Sequence, residues 1–93
     1  MEIAGVHVRP AKNVLFRQLG GEAVLLNLAT GSYFGLNQVG TRIWTHVARG
    51  ESLAAVLTVL VAEYEAPEER LRTDLLEIVE ELVASGLLVV EEP

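Results

Sequence analysis

The sequence of 93 residues contains no cysteine. That excludes disulfides and thiolate metal sites, and makes a reducing cytoplasm the expected address. Basic residues are scarce. One Lys and six Arg stand against 13 acidic residues, a net charge of −6. Nucleic-acid binding draws mainly on phosphate neutralisation by Lys and Arg, so nucleic acid is not an expected partner. The same charge modestly favours a partner with Lys or Arg near its contact residues. Aromatic residues make up only 5% of a chain that is 51% hydrophobic, so aliphatic side chains must supply the core. No apolar run approaches the roughly 20 residues of a membrane span. The opening MEIAGVHVRP lacks the apolar stretch of a signal peptide. No membrane association is expected.

Charge is also missing locally. From Ala23 to Thr41, AVLLNLATGSYFGLNQVGT, there is no charged residue. Within it Ser32, Tyr33, Phe34, Gly35 and Leu36 read as a strand. Edge strands of small proteins are normally guarded by Lys, Pro or an inward-pointing charge. This one carries no guard. Either it lies mid-sheet, or its edge accepts a strand from a partner.

The chain is long enough for one domain, residues 1–93, with 1–12 as a loosely held lead-in or a short strand where Val6 and Val8 alternate around His7, before Pro10 stops any pairing. Val14 to Leu19 is the first strand candidate and Glu22 to Leu28 the second. They are joined by Gly20-Gly21, a two-residue hairpin turn. After the turn Ala29-Thr30-Gly31, Ser32 to Leu36 returns as the third. The short connections make an antiparallel meander. The period then becomes helical. Asn37 caps a helix over 38–49 closed by Gly50, and Ser52 caps a second with Leu53, Val56, Leu57, Leu60, Val61 and Tyr64 on its apolar side. Pro67 opens a third, ending near Ser85 before Gly86. Leu87 to Val90 reads as a short strand or a strap on the core. The fold class is α+β: a three-stranded antiparallel sheet followed by three helices, with winged-helix-turn-helix proportions.

The third helix carries a wide apolar stripe. At 100° per residue, Ile78, Leu71, Leu82, Leu75, Val79, Val83 and Leu76 span about 160°. A helix packed on one core needs little more than about 100°. The surplus falls on Val79, Val83 and Leu76, flanked by Arg72 and Glu80. Two readings account for it. Leu87-Leu88 or the N-terminal segment covers it, or it walls a groove beside the uncharged strand. The second reading makes Ser32, Tyr33, Phe34, Gly35, Leu36, Arg72, Leu75, Leu76, Val79, Glu80 and Val83 the candidate peptide-binding residues.

No catalytic constellation emerges. His7 and His46 have no metal-ligand or triad spacing and read as ordinary surface histidines. Glu68-Glu69 complement a helix dipole, and Glu80-Glu81 belong to a solvated face. Gly20-Gly21 is a turn, since no lysine or GxGxxG pattern follows. Ser32, Ser52 and Ser85 lack a nucleophile elbow. The expectation is a protein that is not an enzyme and uses no metal or cofactor.

The run GGEAVLLNLATGSYFGLNQVGTRIW, Gly20 to Trp44, resembles the PqqD-like family of precursor-peptide recognition elements. The family pattern is an apolar strand, Asn-x-x-Thr-Gly-x-Tyr-Phe-x-Leu-Asn, then x-x-Gly-x-x-Ile-Trp. Here Asn27, Thr30, Gly31, Tyr33, Phe34, Leu36, Asn37, Gly40, Ile43 and Trp44 meet it. Tyr64, Asp74 and Gly86-Leu87-Leu88 extend the resemblance across 14–90. It implies that the leader of a ribosomally made precursor peptide binds as an extra strand between the third strand and the third helix. It also implies separate partner enzymes, a leader peptidase and a macrolactam-forming cyclase, as for the free-standing proteins of lasso-peptide pathways. The pathway stays open, because the quinone-cofactor pathway also uses free-standing copies. Trp44, Ile43, Gly31, Asn37 and Gly40 read as structural. Two other classes remain: a winged-helix DNA-binding regulator, which needs a basic recognition helix, and an oligomerisation module pairing through the same bare edge.

Overall fold

The computed structural model describes Ile3 and residues 5–91. Gly20 takes a positive φ of 66°, and on either side β2 (Val14–Leu19) and β3 (Glu22–Asn27) pair antiparallel with Leu19 opposite Glu22. β4 (Tyr33–Leu36) adds to the other side of β3, giving the sheet order β2-β3-β4. Ala23, Leu25 and Asn27 point inward and are buried; Val24 and Leu26 point outward.

The turn before β4 shows why an asparagine and a threonine stand where they do. The Asn27 Oδ1 accepts the Ala29 N–H at 2.9 Å and the Thr30 N–H at 3.3 Å. Gly31, at φ 78°, donates its N–H to the Asn27 carbonyl. The Ser32 N–H turns to the Thr30 Oγ1. Asn27 is almost wholly buried, and its Nδ2 reaches the Gly86 carbonyl at 3.5 Å, tying the turn to the far end of the chain. Asn27→Ala removes two acceptor contacts worth about 1 kcal/mol each. Scanning calorimetry should record a melting temperature about 5–15 °C lower.

Three helices follow: α1 (Gln38–Ala48), α2 (Leu53–Glu63) and α3 (Glu68–Ala84). Asn37 caps α1 through Oδ1 to the Gly40 N–H at 2.9 Å, and Ser52 caps α2 through Oγ to the Ala55 N–H at 3.1 Å. A Cβ at Gly40 would meet Leu36 Cδ2 at 3.2 Å, which explains the glycine where α1 crosses the end of β4. Leu25, Ile43, Leu53, Leu60, Leu75 and Leu82 fill the core between sheet and helices. Trp44 closes one end of it, stacked on Phe16 with centroids 6.4 Å apart.

The lead-in takes the short-strand form of its two readings, and the expected effect of Pro10 is corrected. Over 7–10 it is not loose: β1 (His7–Pro10) pairs antiparallel with β5 (Leu88–Glu91) in a second, two-stranded sheet. Val8 is buried, and the Val6 carbonyl accepts the Leu53 N–H. Pro10 does not stop the pairing. The Ala11 N–H bonds the Leu87 carbonyl at 3.0 Å, which sets the phase of the ladder. Pro10, opposite Leu88, then falls at a position where the antiparallel pattern needs no N–H. Met1, Glu2 and Ala4 of the expected lead-in lie outside the described residues. The α+β class and the three-stranded sheet followed by three helices are as expected, with this ribbon added.

Candidate functional site

β4 is an edge strand, and the hydrogen-bond phase says which of its atoms are open. The Asn27 N–H donates to the Ser32 carbonyl at 2.8 Å. In an antiparallel ladder alternate residues face one neighbour. Phe34 and Leu36 therefore turn their backbone groups to β3. Tyr33 and Gly35 turn theirs outward. No charged residue and no proline stands on this strand. The opposite edge, β2, carries Arg17.

A cleft of about 420 Å³ begins at Asn37, the residue after β4, and is lined by α1 and α3. Val39, Ile43 and Ile78 give it an apolar floor, with Val39 and Ile78 half-buried. Asp74, Glu77 and Glu81 of α3 line its other wall. Arg70 is the one cation of the lining, its Nε 3.9 Å from the Asp74 Oδ2. Three carboxylates against one guanidinium leave the wall acidic. The candidate site thus combines the outward backbone groups of β4 with an apolar trough between α1 and α3 that has a negative rim.

The candidate residues divide. Ser32, Tyr33 and Gly35 are exposed at the edge, Phe34 is half-buried, and Leu36 is buried against the core. On α3 the expected groove-wall residues are placed differently from one another. Leu75 and Val79 have 0% exposure and belong to the core. Leu76 and Val83 are half-buried against it. Arg72 bonds Glu68 at 3.4 Å and lines a separate hollow with Ile3 and Leu57 of the α2 side. Glu80 is exposed on that same flank. The surplus stripe is covered because α3 packs on α2 and β5, with Leu87 and Leu88 buried beneath. The flank that shares the cleft with Asn37 is the other one, Asp74, Ile78 and Glu81. Ile78 marks the opposite border of the same helical stripe, so the signal was present. Which border faces the sheet was not.

His46 also differs from expectation. It is buried, with Nδ1 2.7 Å from the Glu51 Oε2, pinning the turn between α1 and α2. Among the described residues no group of three His, Asp or Glu could hold a metal, and no helix is long and apolar enough to cross a membrane.

An α+β domain of winged-helix proportions with an unguarded edge strand and a helix-walled cleft is the class that these features define. Residues 22–88 match the family described as Coenzyme PQQ synthesis protein D (PqqD), and the chain belongs to that family. Two solved structures are similar. TbiB1 in complex with the TbiA(β) leader peptide is 32% identical, with a TM-score of 0.82, covering 86% of this chain and 93% of that one. Lasso peptide synthetase B1 complexed with the leader peptide is 26% identical, with a TM-score of 0.82, covering 89% and 98%. Comparison with curated proteins finds no match.

Proposed function

We propose that this protein binds the leader segment of a ribosomally made precursor peptide as an added β-strand between β4 and α3. It presents the peptide, unaltered, to a separate leader peptidase and cyclase in the cytoplasm. One observation carries the reading. Tyr33 and Gly35 turn their backbone groups away from β3, and the cleft walled by Ile78 and Asp74 begins one residue past that strand, at Asn37. The two leader-bound neighbours support it.

Energetics say what the peptide must bring. Two N–H and two C=O groups allow four bonds worth roughly 0.5–1.5 kcal/mol each. Ordering about five peptide residues costs about 1–2 kcal/mol apiece. Backbone pairing sets register without supplying net affinity. Side chains buried on Val39 and Ile78, at roughly 1.5–3 kcal/mol each, must provide it. The acidic rim favours Lys or Arg beside them. A DNA-binding reading gains nothing here, since α3 carries two Arg against six acidic residues and α2 carries no basic residue.

Amide exchange tests the proposal, with the TbiA(β) leader peptide as probe. Exchange should slow at Tyr33 and Gly35 and stay unchanged along Val14 to Leu19. The mass of the peptide should not change on incubation. Protection on β2 instead would move the site to the wrong edge, and any cleavage would end the adaptor reading.

A further inference from the structure

One face of the β2-β3-β4 sheet packs on the core, and the other is open to water. Leu15, Leu26 and Tyr33 form one row across the three strands on that outer face, and Arg17, Val24 and Gly35 form the next. Leu19 and Glu22 stand opposite each other beyond them, at the hairpin end. Leu19 is 74%, Tyr33 78% and Leu15 50% exposed. With Val24 and Leu26 they offer roughly 500 Å² of mostly apolar surface, a size at which patches on small proteins are often functional. Arg17 and Glu22, one of each sign, make the face neutral in a chain of net charge −6. Neither is in an ion pair among the described residues.

We propose that this face is the contact of a symmetric dimer, with a second copy of the chain as its occupant. Four residues at the hairpin end make the face complementary to itself. Arg17 and Leu19 stand on β2, with Val24 and Glu22 opposite them on β3. The two charges occupy one diagonal of this group and the two apolar side chains the other. Outward residues on a strand are about 6.7 Å apart and adjacent strands about 4.8 Å, so a second copy turned over about the apolar diagonal crosses the first at roughly 70°. That is close to the orthogonal way in which two sheets stack. In a two-fold contact, a residue i that meets j is matched by j meeting i. Leu19 then meets the partner's Leu19, Val24 meets the partner's Val24, and each Arg17 meets the partner's Glu22.

Apolar side chains fill the centre and two ion pairs flank them. A partner surface of one charge sign would leave either Arg17 or Glu22 unanswered, whereas a copy of the same face answers both. Two such patches bury about 1,000 Å² together, the lower bound for a specific interface, so the dimer is a weak one. It is made through side chains of the sheet face and leaves the outward backbone groups of β4 free, so it does not depend on the added-strand reading.

Sedimentation equilibrium of the intact protein, from micromolar to millimolar concentration, tests the dimer. The mass should rise from the 10.1 kDa of one chain towards twice that value. Arg17→Glu and Glu22→Arg each set like charges against one another twice, and each should weaken the dimer by about ten-fold or more. Both positions are exposed, so melting curves should show the domain still folded. Mixed in equal amounts, the two variants should dimerise again, because every Glu then meets an Arg across the contact. Pairing within one chain cannot produce that rescue. If either variant fails to fold, Leu19→Asp, which sets two carboxylates together on the axis, should by itself keep the protein monomeric. A protein that stays monomeric at millimolar concentration leaves the face to a different protein and overturns the dimer. A dimer that the charge variants and Leu19→Asp leave unchanged forms through another surface, such as the β4 edge, and overturns it as well. Folded charge variants that stay monomeric when mixed overturn the Arg17–Glu22 contact and the two-fold arrangement with it.

Discussion

Val79→Glu should unfold the protein, while Ile78→Ser, one residue earlier, should leave it folded and weaken peptide binding. Val79 has 0% exposure among the core residues of α3. A carboxylate there has no buried cation to meet, because the side chains around it are apolar. A buried unpaired charge costs several kcal/mol even after the group protonates. Domains of this size are stable by only about 5–14 kcal/mol. Circular dichroism should show loss of most of the helical signal or a melting temperature lowered by more than 20 °C. Ile78 stands 100° round the helix, half-buried on the floor of the cleft. Serine there forfeits about 1–2 kcal/mol of folding stability. The same change removes the apolar floor on which the bound strand depends, so leader affinity should fall by about 10–100-fold. A variant at 79 that melts normally, or one at 78 that binds normally, would return the groove to the other flank.

Gly35→Pro should abolish leader binding and spare the fold. The hydrogen-bond phase turns the Gly35 N–H away from β3. Proline there removes no bond of the existing sheet, which is why edge strands tolerate it. It deletes a donor at the centre of the open edge and puts a ring where the added strand must lie. Phe34→Pro is the control. Phe34 faces its partner Leu25, so proline there breaks the ladder itself. Titration calorimetry with the TbiA(β) leader peptide should show no measurable heat for folded Gly35→Pro. Phe34→Pro should instead melt several degrees lower. Equal binding by Gly35→Pro and the unaltered chain would place the peptide somewhere other than the β4 edge.

Much of the architecture was legible because it is local. Asn37 and Ser52 cap helices by reaching N–H groups three residues on. The glycine pair closes a two-residue hairpin. Asn27, Thr30 and Gly31 shape the turn that launches β4. The bare strand was visible as a stretch without charge. Pro10 misled because proline matters only through the phase of its ladder, and that phase is set by Ala11 and Leu87, which are distant in sequence. His46 misled because its burial depends on a turn and a carboxylate five residues away.

What the sequence determined by itself was the set of elements, the unguarded strand, and a third helix with more apolar surface than one core contact needs. Each follows from side-chain periodicity and backbone preference over a few residues. Tertiary structure alone decided which border of that helix lines the cleft that begins at Asn37. A stripe about 160° wide has two borders, and periodicity treats them alike. Packing distinguishes them: α2, β5 and the buried Leu87 and Leu88 cover Val79. Asp74, Ile78 and Glu81 wall the cleft that begins at Asn37, after β4.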